Sequence, residues 1–574
     1  MDEKTETFDF VVVGSGGGSM CAALTARSLG KTVLILEKTS LVGGTTSRSG
    51  GAMWIPNNCF MRRDGVADSF GHAMTYLDNL VGDSPDTRGA TRERRSTYLK
   101  EAPRMLDFLL SQGIKIHRYP YWPDYNDELP GGLKQGRVVI ADIFNVNELG
   151  PHKARLRPNY IPLPASLQEV MRVPLAKRML RGKLAMAKIG LRMVLQKITG
   201  KHFIGGGAAL QGRMFQKALE VGVDMRTDAP VKRLLTDGSG RVTGVQAQVG
   251  DQLKMFTARA GVLINAGGFA QNQAMRDKYQ PGTNIQWSVV CEGDTGEMIE
   301  EMMRLGADVA QMDERVGIQI TLPPEERAIN PMVMPELFKP HSIVVDQSGQ
   351  RYVREAQSYQ SFCHAMFERN KSVPAIPSWL IMDSQYISKY MVSENMPGAA
   401  LPQSWLDKGF VVKAATLEEL GQRCNLNPRA LIASVARFNE FARAGKDLDF
   451  HRGDRAYDLF YADPTHKPSP TLGTIEKGPF YTYRFFPGDI GTTGGVVTDV
   501  HARVLKKDGS VFAGLYATGN STASVMGRTY PGGGSCVGPS FVWGYVAARH
   551  ASTMAKAEPF VPPPTEAALG VVQL

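Results

Sequence analysis

Six small residues, Gly14-Ser15-Gly16-Gly17-Gly18-Ser19, separate an apolar, β-branched run (residues 9–13) from an Ala-rich stretch (residues 20–29). A strand, a glycine turn and a helix in that order make a phosphate site. Gly14 permits the tight turn, Gly16 lets the backbone approach a pyrophosphate, and the helix start offers free N–H groups and a positive dipole end. Ser19 stands where the usual pattern has its third glycine, and serine is small enough for helix–strand packing. Glu37 lies 23 residues after Gly14. It ends a second strand (residues 32–36) where a carboxylate can accept hydrogen bonds from a ribose diol. Lys38-Thr39, Gly43-Gly44-Thr45-Thr46-Ser47 and Ser49-Gly50-Gly51 follow at once. A nicotinamide enzyme has no need of this second Gly/Ser/Thr loop, whereas a long, buried FAD does. The expected cofactor is FAD.

These residues need a large scaffold. The chain has 574 residues, with 43% hydrophobic content and 60 glycines. More than one domain and an ample core are expected. No apolar run reaches 18 residues, so no spanning helix is expected. The acidic start, MDEKTETF, runs straight into the first strand, which leaves no room for a signal peptide and gives a cytoplasmic expectation. Six scattered cysteines without CxxC, and ten histidines without ligand spacing, suggest neither disulfides nor a metal site.

Residues 52–112 show i, i+3, i+4 apolar spacing and are expected to be mainly helical, with Gly113 at a helix end. The loop Tyr119-Pro120-Tyr121-Trp122-Pro123-Asp124-Tyr125 is irregular, and its rings either line a flat apolar ligand site or pin the loop to the core. Between Arg172 and Lys201 stand nine basic residues and no acid, within a net charge of +10. At about 100° per residue, Lys177, Arg181, Lys188 and Arg192 fall within roughly 60° of one another, with Leu175, Met179, Met186 and Met193 opposite. Residues 165–203 thus read as a basic amphipathic helix for an anionic membrane surface or a partner helix, and the membrane surface is the expectation taken. Nucleic acid is not an expected partner, since the aromatics lie elsewhere. Beyond Gly205 the pattern returns to helix and strands, with a hairpin at Asp237-Gly238-Ser239-Gly240. The strand 261–264 ends in Asn265-Ala266-Gly267-Gly268, suited to packing beside the cofactor. Glycine-punctuated strands resume after residue 480, and Gly532-Gly533-Gly534-Ser535 leads into a last helix.

Several of these segments occur in order at both ends of the chain: GSGGGS, Glu37-Lys38-Thr39, GGTTSRSGGAMWIP, Tyr359 in SYQSF, FHRGDRAYD, FPGDIGTTGGVVTD, GLYATGN and RTYPGGGSCVG. Together they resemble the FAD-dependent 3-ketosteroid Δ1-dehydrogenases of the succinate dehydrogenase/fumarate reductase flavoprotein class. The likeness spans about residues 8–550, apart from 151–203, which looks like an insertion. The resemblance implies conversion of a 3-oxo-4-ene steroid to the 1,4-diene. Tyr359 would be the base for the C2 proton, and flavin N5 would take hydride from C1. Tyr530 and the Gly534 N–H would hold the C3 oxygen, as an oxyanion hole does. Tyr125 would hydrogen-bond Tyr359 and assist its ionisation, since an ordinary tyrosine has a pKa of about 10. Val231, Ala266, Gly267, Gly519, Asn520, Gly534, Ser535 and Val537 are further expected cofactor positions. The GGTTSRSGG stretch has no histidine, so the FAD is expected to be non-covalent.

The expected architecture is α/β: a Rossmann-type FAD-binding domain in three parts (1–160, 205–310 and 480–574), with a basic amphipathic helical insertion (161–204) and an inserted α+β substrate domain (311–479). The expected location is the inner face of the cytoplasmic membrane, by peripheral attachment, with a quinone as the electron acceptor. Attack at the steroid C4–C5 bond and simple electron transfer by a membrane-attached flavoprotein are the competing readings. The first depends on base placement. The second has no use for a proton abstractor.

Overall fold

In the computed structural model, which describes residues 5–327 and 329–554, the strand Glu6–Val13 lies in the middle of an eight-stranded sheet. It pairs in parallel with Val33–Leu36 on one side and Gln252–Ile264 on the other. Alternate residues enter two different cores. Phe10, Val12, Val33 and Ile35 join one, while Val11, Val13, Leu34 and Leu36 join the other. Both faces are covered, which is why these strands read as continuous apolar runs rather than alternating ones.

The helix Gly17–Ser28 begins at the glycine turn, three residues before the expected start, with Gly16 at its N-cap. It packs on the C-terminal helix Val537–Met554, where Gly18 and Gly544 meet backbone to backbone. A Cβ on Gly544 would stand 2.2 Å from the Gly18 carbonyl oxygen. Two segments more than 500 residues apart in sequence thus share one site.

A second, antiparallel sheet joins Arg315–Ile320, Phe480–Thr492, Ser378–Asp383 and Ser342–Val345 in that order, with Val411–Ala414 also on Phe480–Thr492. The expected boundary at residue 479 therefore moves. The strand Phe480–Thr492, assigned from sequence to the cofactor domain, is the long inner strand of this second sheet, because its 13 residues pair on both edges. The helix Tyr359–Asn370 lies against Arg315–Ile320.

Helices Phe70–Val81 and Arg92–Ser111 and a small sheet (Ala52–Trp54, Val138–Ala141, Ile116–Arg118) carry the aromatic loop. Gly113 takes φ +83° just past the helix, as expected.

The expected single amphipathic helix over 165–203 is broken. The structure has a short helix Leu167–Val170, a 3₁₀ turn Val173–Leu175 and a long helix Leu180–Thr199, with Met179 extended between them. Pro174 and the extended Met179 interrupt the pattern, so Lys177 lies outside the long helix. Lys188 and Arg192 are not a free basic stripe: Arg192 turns in, while the Lys188 side chain stays exposed. They close on Glu169 at 3.1 and 2.9 Å. Burial works against the Glu169 charge, but hydrogen bonds from Arg192 and the Ser166 N–H hold its carboxyl at about 2. The apolar side is what points outward: Leu180, Leu184, Leu191, Leu195 and Ile198 are exposed, Ile198 by 74%. Among the described residues, no helix is long and apolar enough to cross a membrane.

Candidate active site

A cavity of about 900 Å3 runs from the glycine turn to the second sheet. That lies at the upper end for small-molecule sites, roughly 300–1,000 Å3. One lobe is bordered by Gly14, Ser15, Gly16, Glu37, Lys38, Gly44, Thr45, Thr46, Ser49 and Gly50, and by Val231, Ala266, Gly267, Gly519, Asn520, Gly534 and Val537. Five expected positions are not brought there. Gly17 and Gly18 face the C-terminal helix, Gly43 packs on Ser47, and Gly51 packs on Gly206. Ser535 is spent closing its own turn through Gly532.

The turn is built as its sequence demands. Gly14 takes φ +93°, and a Cβ there would stand 2.3 Å from the Asn265 carbonyl oxygen, so only glycine fits. Glu37 Oε2 accepts from the Ser15 N–H and hydroxyl at 3.0 and 2.6 Å, and Oε1 accepts from the Thr39 N–H. The Thr39 hydroxyl also donates to Oε1 at 2.9 Å, so the carboxylate braces the turn with its acceptor sites engaged while bordering the cavity, and a ribose diol would have to replace one of these donors. Lys38 is tied to Thr295 and Glu297.

Sequence reasoning missed Asp294. It is 3% exposed, borders the cavity beside Gly267, and its Oδ1 has no hydrogen-bond partner. Burial pushes its carboxyl up to about 7. An orphaned buried acceptor on a phosphate-binding lobe is what a polyhydroxylated cofactor chain would satisfy. No local pattern in CEGDTG marks it, since its isolation arises only in three dimensions.

The other lobe is aromatic. Tyr125, Tyr359 and Tyr530 all border it and are at least 94% buried. The Tyr125 hydroxyl donates to the Tyr359 oxygen at 3.4 Å. The Tyr530 ring lies 5.1 Å from Tyr359 and 5.7 Å from Tyr125. Two loops hold this cluster. The Tyr125 N–H donates to the Pro531 carbonyl at 2.9 Å, and the Tyr76 hydroxyl donates to the same oxygen at 2.7 Å. Buried Asp124 accepts from Trp54 and Arg137, both at 2.8 Å, and fixes the aromatic loop. The two readings of that loop are therefore both realised. Trp122 and Tyr125 border the cavity, Tyr119 packs into the core against Phe460, and Tyr121 is exposed.

Tyr359 opens its helix, where its carbonyl accepts from Gln319 at 3.1 Å. Burial, then the neighbouring Tyr125 and Tyr530, hold its hydroxyl well above the ordinary tyrosine range. Gly534 takes φ +92°, with Ala52 O only 2.4 Å from where a Cβ would be. Among the described residues its N–H has no acceptor within the chain. Tyrosine hydroxyls and a free N–H thus border one apolar cavity, a set able to draw a proton from a carbon next to a carbonyl.

Comparison with known proteins agrees. The FAD binding domain family matches residues 9–537. The chain is 39% identical to the 3-oxosteroid 1-dehydrogenase of Mycolicibacterium smegmatis over 96% of its own length and 98% of the relative's. It is 38% identical to that of Mycobacterium tuberculosis, over 96% and 99%. The crystal structure of 3-ketosteroid Δ1-dehydrogenase from Sterolibacterium denitrificans, in complex with 1,4-androstadiene-3,17-dione, superposes with a TM-score of 0.90. It is 36% identical and covers 96% of this chain and 100% of that one. The chain belongs to the 3-oxosteroid 1-dehydrogenase family of FAD-binding flavoproteins. FAD is the cofactor, and the glycine turn and the orphaned Asp294 oxygen fit it. The family's wider fold class is seen in flavocytochrome c3 fumarate reductase, which shares the fold at a TM-score of 0.61 and 19% identity.

Proposed function

We propose that this protein dehydrogenates 3-oxosteroids between C1 and C2, turning a 3-oxo-4-ene into a 3-oxo-1,4-diene. The observation that carries the reading is the tyrosine cluster: Tyr359 accepts a hydrogen bond from Tyr125 at 3.4 Å, with Tyr530 and the free Gly534 N–H at the same cavity. A C3 carbonyl acidifies the C2 hydrogens, and Tyr530 and Gly534 donate to its oxygen as negative charge develops. Tyr359 removes the C2 proton, and the hydrogen bond from Tyr125 steadies the oxygen that takes it. The buried rings exclude water from the enolate-like carbon. Bound FAD, held by Gly14, Gly16, Glu37, Ala266, Gly267 and Asp294, supplies the hydride acceptor.

Product analysis tests this. Incubation with a 3-oxo-4-ene steroid and a dye acceptor, without NAD(P), should give the 1,4-diene. A 4-ene formed instead from a 5α-saturated 3-oxosteroid would move the chemistry to C4–C5.

A second part of the proposal concerns place. The helix Leu180–Thr199 rests on an anionic membrane surface, at the inner face of the cytoplasmic membrane, and a quinone there is the electron acceptor. At about 100° per residue, the exposed Leu180, Leu184, Leu191, Leu195 and Ile198 fall within roughly 60°. Arg181 and Lys188 flank them on one side, Lys183 and Lys197 on the other. An outward apolar stripe between two basic rows is the pattern of a helix lying in a lipid interface. The protein should sediment with vesicles containing anionic lipid, and Leu184→Glu with Leu191→Glu should release it. Sedimentation unchanged by that pair would rule the attachment out.

A further inference from the structure

Lys339 is a buried cation that the catalytic scheme leaves unused. It is 4% exposed and borders the aromatic lobe of the cavity. Its ammonium donates to the Tyr461 carbonyl oxygen. An ammonium has three hydrogens to give, and the bond to Tyr461 is the one hydrogen bond or ion pair its nitrogen makes among the described residues. The two nearest acids are engaged elsewhere. Glu336 accepts from the Tyr483 hydroxyl at 2.6 Å and the Ser393 N–H at 2.8 Å. Asp463 accepts from Arg178 at 2.9 Å and from the Tyr390 hydroxyl at 2.8 Å. Burial alone pulls the Lys339 ammonium down to about 8, with Asp463 and Glu336 opposing the fall. A buried charge left with unspent donors is costly unless something completes it.

Its place relative to the reacting tyrosines gives the occupant. From Tyr359 the ring contacts run to Tyr125 at 5.3 Å, then to Tyr457 at 4.3 Å, and then to Phe338 at 5.5 Å, the residue before Lys339. By this path, three ring contacts lead from the base to the neighbour of Lys339, which lies on the same cavity among Met334, Pro335, Glu336, Tyr386, Met391 and Phe460. A steroid nucleus is rigid. When its 3-oxo end sits at Tyr530 and Gly534, its D-ring end must lie well away from Tyr359 along the apolar lobe.

We propose that Lys339 forms a subsite for an acceptor oxygen on the D-ring end of the steroid, a 17-ketone or a side-chain carboxylate. This rests on the 3-oxosteroid reading above. The lysine is a specificity residue: it does not touch the reacting carbons, and it favours oxygenated D-ring ends over hydrocarbon side chains. The chemistry shared by the two sources is an oxygen that accepts from an ammonium, and a charge-assisted bond of this kind is about twice as strong as a neutral one.

The test compares flavin-loaded wild type with Lys339→Met and Lys339→Gln on three 3-oxo-4-ene steroids. One bears a 17-ketone, one a side-chain carboxylate and one an all-hydrocarbon side chain. Lys339→Met should lower kcat/KM for the first two by about tenfold or more, mainly through KM. It should leave the hydrocarbon substrate unchanged or improved. Lys339→Gln keeps a donor without the charge. It should recover the ketone if that is the ligand and fail to recover the carboxylate if that is. Equal kcat/KM ratios among the three substrates in wild type and both variants would overturn the subsite. Inactivity of wild type on all three would instead sink the steroid assignment beneath it. The visible flavin absorbance of each variant shows that it is folded and loaded, and a Lys339→Met variant that loses it leaves Lys339→Gln to decide.

Discussion

The tyrosine cluster and the insertion helix Leu180–Thr199 are opposites in how they are held. Tyr125, Tyr359 and Tyr530 sit at the meeting of two loops and a helix start, buried, with each hydroxyl near another. The insertion helix buries only Gly182, Ala185 and Ile189, and hangs on Glu169 through Lys188 and Arg192. A site that makes and breaks C–H bonds needs fixed geometry, because a small misplacement is costly. A surface proposed to meet a fluid interface needs only the right outward face. The same chain therefore spends its packing on one and its exposed leucines on the other.

Changes that break this contrast should rank by which region they strike. The largest effect belongs to Tyr359→Phe, which removes the proposed proton acceptor and leaves the ring. Steady-state assays should show kcat/KM lower by about 10²- to 10⁴-fold, with flavin absorbance retained. Tyr530→Phe removes one donor to the carbonyl oxygen and should cost about 10²- to 10³-fold in kcat. Residual activity near wild type in either variant would mean that the cluster is packing and not chemistry.

The pH profile sharpens the same point. Tyr359 is held above the ordinary tyrosine range, first by burial. Below its pKa the base form grows with pH, so kcat/KM should climb by up to about tenfold per pH unit above neutrality. Tyr359→Phe should flatten that limb.

The insertion should respond differently. Glu169→Gln removes the partner of Lys188 and Arg192, and should lower Tm by about 1–2 °C and open residues 172–201 to protease, with kcat unchanged. Glu169 is depressed from 4.5 to about 2 on folding. Its contribution is therefore full above about pH 4.5 and lost as pH falls towards 2, so proteolysis of the insertion should begin in that window. The smallest effect on chemistry belongs to Leu184→Glu with Leu191→Glu, which should leave kcat in detergent unchanged while vesicle binding is lost.

What could be read from sequence follows the same divide. The glycine turn and Glu37 were legible because a strand, a turn and a helix specify one another over some thirty residues. Tyr359 and Tyr530 were legible through the motifs around them, although nothing local forecast that their hydroxyls would share one pocket. The insertion was read as one continuous basic helix, which it is not. Its acidic partner, Glu169, lies three residues outside the acid-free window, and Pro174 and Met179 break the helical phase, so the leucine side faces outward and part of the basic side faces in. Residues 480–492 were placed with the cofactor domain, whereas they pair in the second sheet, because strand pairing across the chain leaves no mark in strand composition. Asp294 and Lys339 were invisible. A single charged residue in CEGDTG or PELFKP carries no periodicity, and its missing partners appear only when the fold closes around it.

One measurement bears most directly on the central claim. A 3-oxo-4-ene steroid carrying deuterium at C1 and C2 on the reacting positions is turned over by the flavin-loaded protein, and the product is weighed by mass spectrometry. Removal of a hydride from C1 and a proton from C2 predicts a product lighter by both deuterons, with turnover almost abolished in Tyr359→Phe. A product that keeps both labels, or equal turnover in the variant, would contradict the account.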